Sequence, residues 1–315
     1  MIEIQNLTKN YGDRTVLDHL SFSLKKGEVM GFLGPNGAGK TTTMRILTGY
    51  MPASEGTANI AGWDVFTHPH EVKKRIGYLP ETPPLYPEMT VESYLRFAAG
   101  LKGVERNRVA TAVAGAVDRC GLGEVRRRLV RHLSKGYRQR VGLAQAVINS
   151  PEVLIMDEPT SGLDPKQIVE IRGLIADLSE SQTIILSTHI LPEVMAICSR
   201  VLIIHRGRKV ADDTYADLTQ VQAGRREFRL ATARADAAQV EGLKAIPGVE
   251  RVESLGGGTT HGFRIRTRAE DGDAAPQRIA QYVVERRMGL IEITPLAGGL
   301  EEIFIRRISE SEKES

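Results

Sequence analysis

Residues 34 to 41 read Gly34-Pro35-Asn36-Gly37-Ala38-Gly39-Lys40-Thr41. This is the spacing G-x-x-x-x-G-K-[ST], a loop suited to holding a chain of phosphates. Its glycines let the backbone wrap closely, and the amides of such a loop form a nest for anionic oxygens. Lys40 can reach the β- and γ-phosphates of a nucleotide, and the Thr41 hydroxyl can sit on Mg²⁺. The run Glu28 to Leu33 before the loop reads as a short buried strand. Thr42 to Leu47 reads as the start of a helix, so the phosphates would meet a helix N-terminus.

Four later segments carry further chemistry. Val153 to Met156 is an apolar strand that ends in Asp157 and Glu158. Asp157 can face Mg²⁺ on the phosphates, and Glu158, one residue on, is placed to polarise a water. Leu133-Ser134-Lys135-Gly136-Tyr137 leads into a helical pattern, with Val141, Ala144, Ala146 and Val147 apolar. A hydroxyl residue and a glycine at a helix start make a second anion site. Ser161-Gly162-Leu163-Asp164 and Ser187-Thr188-His189 complete the set.

These motifs, in this order, resemble the ATP-binding cassette family, the nucleotide-binding subunits of ABC transporters. The resemblance covers residues 1 to about 218. It implies that Gly34 to Thr42 hold the triphosphate of ATP and that Tyr11 stacks on adenine. Asp157 and Thr41 would support Mg²⁺, and Glu158 would be the general base. His189 would sense the γ-phosphate. Ser134 and Gly136 would contact ATP bound to a second subunit, and Asp164 would lie in a loop crossing that homodimer interface. Two positions depart from the usual family pattern. Lys135 and Tyr137 replace residues of the usual Leu-Ser-Gly-Gly-Gln. Glu81, after Ile76-Gly77-Tyr78-Leu79-Pro80, stands where a Gln is usual. Ionised Glu81 can accept contacts from Mg²⁺ or its waters but cannot donate. Both variants are similar to the exporter branch that includes gliding-motility-associated ATP-binding proteins.

The elements that must position these residues follow from pattern. Strand–helix alternation over residues 1–82 and 151–218 implies a mainly parallel sheet covered by helices, an α/β P-loop NTPase cassette. Residues 83–150 read as a helical subdomain, with Val91, Tyr94, Leu95 and Ala98 at i, i+3, i+4 and i+7. Residues 225–308 follow a β-α-β-β-α-β-α order, a small α+β ferredoxin-like unit. It includes a turn at Gly256 to Gly258 and a last helix from Leu300 to Ile308. Residues 309–315 read as a disordered tail.

Composition sets limits on the partners. The chain has 315 residues and is 41% hydrophobic, enough for two domains with their own cores. It has no apolar run near the ~18 residues needed to cross a bilayer and no signal-like N-terminus. The net charge of +3 is too mild to argue for nucleic acid. Cys120 and Cys198 read as reduced, packed thiols. Arg126, Arg127, Arg128 and Arg131 read as a solvated helix face. Together with the resemblance, this implies a peripheral protein on the cytoplasmic face of the inner membrane, driving separate integral membrane permease subunits. Two alternatives stand beside it. A soluble cassette in translation or DNA repair would usually bring a second cassette or long coiled coils, and neither pattern occurs here. A slow-turnover regulatory module is the other, although Lys40, Asp157 and Glu158 are all in place.

Overall fold

Val29–Leu33 (β3), Val153–Asp157 (β7) and Thr183–Thr188 (β8) are buried at every residue. Such continuous apolar runs are what strands covered on both faces require. In the computed structural model, which describes residues 1–214, 225–255, 260–268 and 274–296, these strands lie side by side. They belong to a six-stranded sheet with Ile76–Leu79 (β6), Arg200–His205 (β9) and Arg208–Thr214 (β10), in the order β10-β9-β3-β8-β7-β6. Neighbours are parallel except β10, which returns antiparallel through a turn at Arg206-Gly207. A second, antiparallel sheet runs β2-β1-β4-β5, from Ile2–Tyr11 (β1), Arg14–Leu24 (β2), Glu55–Ile60 (β4) and Trp63–Asp64 (β5). Its inward residues Ile4, Leu17 and Phe22 share one core with Met30, Phe32 and Ile155 of the parallel sheet. Each such side chain contributes about 1.5–3 kcal/mol when fully buried.

Among the described residues, seven α-helices complete this unit, Met1–Tyr215. They are Lys40–Leu47 (α1), Pro69–Arg75 (α2), Val91–Leu101 (α3), Val109–Arg119 (α4), Lys135–Val147 (α5), Pro165–Ser179 (α6) and Leu191–Ile197 (α7). Helices α3, α4 and α5 pack on one another, and α5 also packs on β6. At Gly77 of β6 an added Cβ would fall 2.2 Å from the Ala146 carbonyl, so only glycine lets strand and helix approach this closely.

One expectation fails here. Arg126 to Arg131 do not form a helix face. Arg126 to Arg128 lie between two short 3₁₀ turns, Gly123–Val125 and Val130–His132, and Arg131 sits in the second. The reason is local. The first free amides of α3, on Val91 and Glu92, take the carbonyls of Arg128 and Arg126 at 3.1 and 3.0 Å. A helical run could not offer those carbonyls. Arg126 then closes a two-bond contact with Glu92 at 2.9 and 2.8 Å.

The second unit, Ala216–Ser315, has its own core of Leu230, Leu243, Phe263, Ile265, Ile279 and Val283. Its elements are Arg225–Thr232 (β11), Ala237–Lys244 (α8), Val249–Ser254 (β12), His261–Arg268 (β13), Ala274–Glu285 (α9) and Leu290–Leu296 (β14). The antiparallel order β12-β13-β11-β14 is the split β-α-β arrangement of a ferredoxin-like sheet. Asp236 caps α8 through a reciprocal bond with Gln239. The expected Gly256–Gly258 turn, the helix from Leu300 to Ile308, the tail and the boundary near residue 218 lie outside the described residues.

Candidate functional site

The loop after β3 turns sharply into α1, and two glycines make the turn. Gly39 has φ 109°, and an added Cβ would meet Leu17 at 2.6 Å. Gly34 approaches the Ile204 carbonyl so closely that a Cβ would lie 2.4 Å from it. This strand–loop–helix order leaves the first amides of α1 pointing into a cleft, where anions are favoured. Lys40 is 6% exposed. Its ammonium donates to the carbonyls of Gly34 at 2.8 Å and Pro35 at 3.2 Å.

Across the cleft, β7 delivers two carboxylates. Asp157 is 2% exposed and accepts from Ser187 Oγ at 2.5 Å and from Thr41 Oγ1 at 3.3 Å. Glu158 adopts φ 48°, a left-handed conformation that costs a side-chain-bearing residue about 1–2 kcal/mol. That twist separates the two carboxylates. Its amide is held by both the carbonyl and the hydroxyl of Ser187, each at 3.1 Å. The Glu158 carboxylate lies 3.3 Å from Lys40 Nζ and 2.9 Å from His189 Nδ1. A proton on Nδ1 makes His189 the donor to Glu158.

The cleft between these groups has a volume of about 570 Å³. Tyr11, Asn36, Gly37, Lys40, Thr41 and Thr42 line it on one side, and Glu81, Glu158 and His189 on the other. Tyr11 is 48% exposed at its rim, its hydroxyl directed to Met51 Sδ at 3.1 Å. Glu81 accepts from Ser161 Oγ at 3.1 Å. Pro35 contributes its carbonyl, and the buried Ala38 packs beneath Gly34.

Three expected residues are absent from this cleft. Ser134 caps α5, its hydroxyl accepting from the Tyr137 amide at 3.3 Å. Gly136 lies under Gln167, whose side chain a Cβ would meet at 2.7 Å. Asp164 caps α6 through the Gln167 amide at 2.9 Å. Lys135 lies across Gly162, where a Cβ would meet its ammonium at 2.2 Å. The start of α5 and the start of α6 thus form one contact in the same chain, and Ser134, Gly136 and Asp164 are not among the residues that line the cleft.

Sequence reasoning missed Arg14, which also lines the cleft, and the structural work of Ser187. The signal for Ser187 was a hydroxyl at the end of a buried strand, two residues before His189. Thr41 and Asp157 offer a hydroxyl and a carboxylate side by side beside the phosphate loop. Hard oxygen donors of this kind fit Mg²⁺, which keeps waters and shares its site with substrate phosphates. Among the described residues no group of three or more His, Cys, Asp or Glu could hold a metal without such help. The arrangement can therefore bind a triphosphate, neutralise it and present a carboxylate to an attacking water.

The chain is similar to known proteins. The family described as ABC transporter matches residues 17–161. An uncharacterized ABC transporter ATP-binding protein of Bacillus subtilis, YhcH, is 32% identical over 317 residues, covering 100% of this chain and 98% of its own. The bacitracin transport ATP-binding protein BcrA of Bacillus licheniformis is 33% identical, covering 98% and 97%. A solved ATP-binding subunit of an ABC transporter superposes with a TM-score of 0.64 at 32% identity, covering 70% of this chain and 92% of that one.

Proposed function

The chain belongs to the ABC transporter family of ATP-binding, ATP-hydrolysing subunits, and we propose that it drives an exporter whose membrane-spanning permease is a separate protein. The observation that carries the catalytic reading is one chain of contacts. Lys40, Glu158 and His189 are joined at 3.3 and 2.9 Å at the mouth of the phosphate loop. In this reading the amides of residues 34–42 and the Lys40 ammonium bind the triphosphate, and Tyr11 stacks on the adenine. Thr41 and Asp157, with Glu81, would hold Mg²⁺, which would supply neutralisation of the phosphate charge. Glu158 orients a water in line with the γ-phosphorus and takes its proton as the new P–O bond forms and the bond from that phosphorus to the β–γ bridging oxygen breaks. ADP then leaves with the electron pair on its β-phosphate, and inorganic phosphate is released. His189 fixes the Glu158 carboxylate and faces the γ-phosphate.

Ser134, Gly136 and Asp164 support a second part of the proposal. None of the three lines its own chain's cleft, which suits a homodimer in which they complete the partner's site. Closure around two ATP molecules would move the membrane subunits, and hydrolysis would reset them. The length-matched similarity to a bacitracin transport protein supports the exporter assignment. No helix among the described residues is long and apolar enough to cross a membrane. We place the chain at the cytoplasmic face of the inner membrane. We take residues 1–218 as the nucleotide-binding domain and 225–308 as an accessory domain for protein contacts.

The test is light scattering on Glu158→Gln with and without Mg-ATP. That variant keeps the binding groups and slows hydrolysis, so ATP should shift it from monomer to dimer. A strictly monomeric species with ATP bound overturns the composite site.

A further inference from the structure

Glu193 is 2% exposed on α7, yet among the described residues it has no cationic partner within ion-pair distance. Its two oxygens are instead held by hydroxyls. Oε1 accepts from Thr160 Oγ1 at 2.5 Å, and Oε2 accepts from Thr188 Oγ1 at 2.7 Å. Both threonines are buried, at 4% and 0% exposure. A buried carboxylate with only neutral donors is unfavourable unless those bonds are well made, so its position calls for a reason beyond packing.

The two threonines supply the reason. Thr160 lies two residues after Glu158, in the turn closed by the Ser161 amide on the Glu158 carbonyl at 3.0 Å. Thr188 immediately precedes His189, and its hydroxyl also takes the Ile190 amide at 3.0 Å. One carboxylate therefore ties together the two segments whose tips meet in the His189–Glu158 contact of 2.9 Å. The carboxylate itself is fixed by its helix. Val194, the next residue, packs on Gly31 of β3 so closely that a Cβ there would lie 2.5 Å from it. The clamp is thus anchored to the strand that leads into the phosphate loop.

We propose that Glu193 is a positioning residue for hydrolysis: it clamps Thr160 and Thr188 so that Glu158 and His189 stay in register. The proposal rests on the assignment of Glu158 as general base. It touches neither the phosphate loop nor the cleft wall, so its effect falls on turnover and not on nucleotide affinity. Displacing a catalytic group by an ångström lowers the rate by about 100-fold.

The experiment uses the full chain and six variants: Glu193→Ala, Glu193→Gln, Thr160→Val, His189→Ala, the double variant Glu193→Ala with His189→Ala, and Glu158→Gln. For each, ATP affinity and ATP turnover per binding-competent site are measured. Glu193→Ala should lower turnover about 10- to 100-fold with affinity within about 3-fold. Glu193→Gln keeps one acceptor and lets the threonine hydroxyls reorient, so it should recover much of the rate. Thr160→Val should reproduce part of the loss. The His189→Ala effect should shrink in the Glu193→Ala background, because both act on one contact. Equal losses of affinity and turnover, or full additivity with His189→Ala, overturn the proposal by reducing Glu193 to a stability role. Parent-like turnover in Thr160→Val together with Glu193→Gln also overturns it, even where Glu193→Ala fails to fold. Parent-like turnover in Glu158→Gln would instead refute the general base, so the two failures are distinguishable.

Discussion

Replacing Lys40 with Met removes one charge from the centre of the site and keeps most of the side-chain volume. Two consequences separate cleanly. In the fold, the carbonyls of Gly34 and Pro35 lose a donor, and the Glu158 carboxylate loses a cation 3.3 Å away. Removing one member of a buried pair can cost about 3–5 kcal/mol. Here His189 Nδ1 remains 2.9 Å from the Glu158 carboxylate, and the cleft opens to water, so the loss should be nearer ~1–3 kcal/mol. For a unit of this size that is a fall of roughly 2–12 °C in Tm. In binding, the nucleotide loses a charge-assisted contact of about 1.5–3 kcal/mol, which is about 10- to 150-fold in affinity. Calorimetric titration with Mg-ATP, beside a thermal melt of the same preparation, reads both. An affinity within about two-fold of the parent, well under the tenfold that 1.4 kcal/mol represents, would refute the placement of the triphosphate against Lys40.

Two further outcomes follow from the surroundings of the site. Burial pushes the thiols of Cys120 and Cys198 up to about 12, so at pH 8 neither should react with a disulfide reagent faster than the protein unfolds, while denaturant should expose both. Rapid labelling of the native protein would contradict their packing. Glu92 is held down at about 2, first by its bonds with Arg126 and then by those with Arg96. Its folded value lies below the ordinary 4.5, so its contribution is complete above that value and disappears as pH falls from 4.5 towards about 2. Denaturant midpoints of the parent should therefore drop relative to Glu92→Gln across that window, and parallel curves would show that the contact does not order the loop at the start of α3.

Legibility in the sequence tracked covalent distance. The phosphate loop was readable because its glycines, Lys40 and Thr41 are near neighbours, and Asp157 with Glu158 because an apolar strand must end where its polar residues begin. The buried strands announced themselves as unbroken apolar runs. What the sequence hid are contacts between distant segments. Ser187 reaches Asp157 across 30 positions, Thr160 reaches Glu193 across 33, and Arg126 reaches Glu92 across 34. The basic run at Arg126–Arg131 misled for that reason. Its charge density suggested a helix face, but its carbonyls are needed by the first turn of α3. Lys135 is a similar case. In the sequence it stood out only as a departure from the usual family residue, and its position across Gly162 gave it a structural setting.

The account turns on Glu158 as the group that activates water. Its left-handed backbone, its double anchor to Ser187 and its contacts with Lys40 and His189 all serve to place one carboxylate. Glu158→Gln keeps the size of the side chain and removes its basicity. Steady-state ATP turnover of that variant, measured with ATP affinity on the same sample, should fall about 10²–10⁴-fold while affinity is retained. Turnover near that of the parent, with ATP bound, would contradict the account.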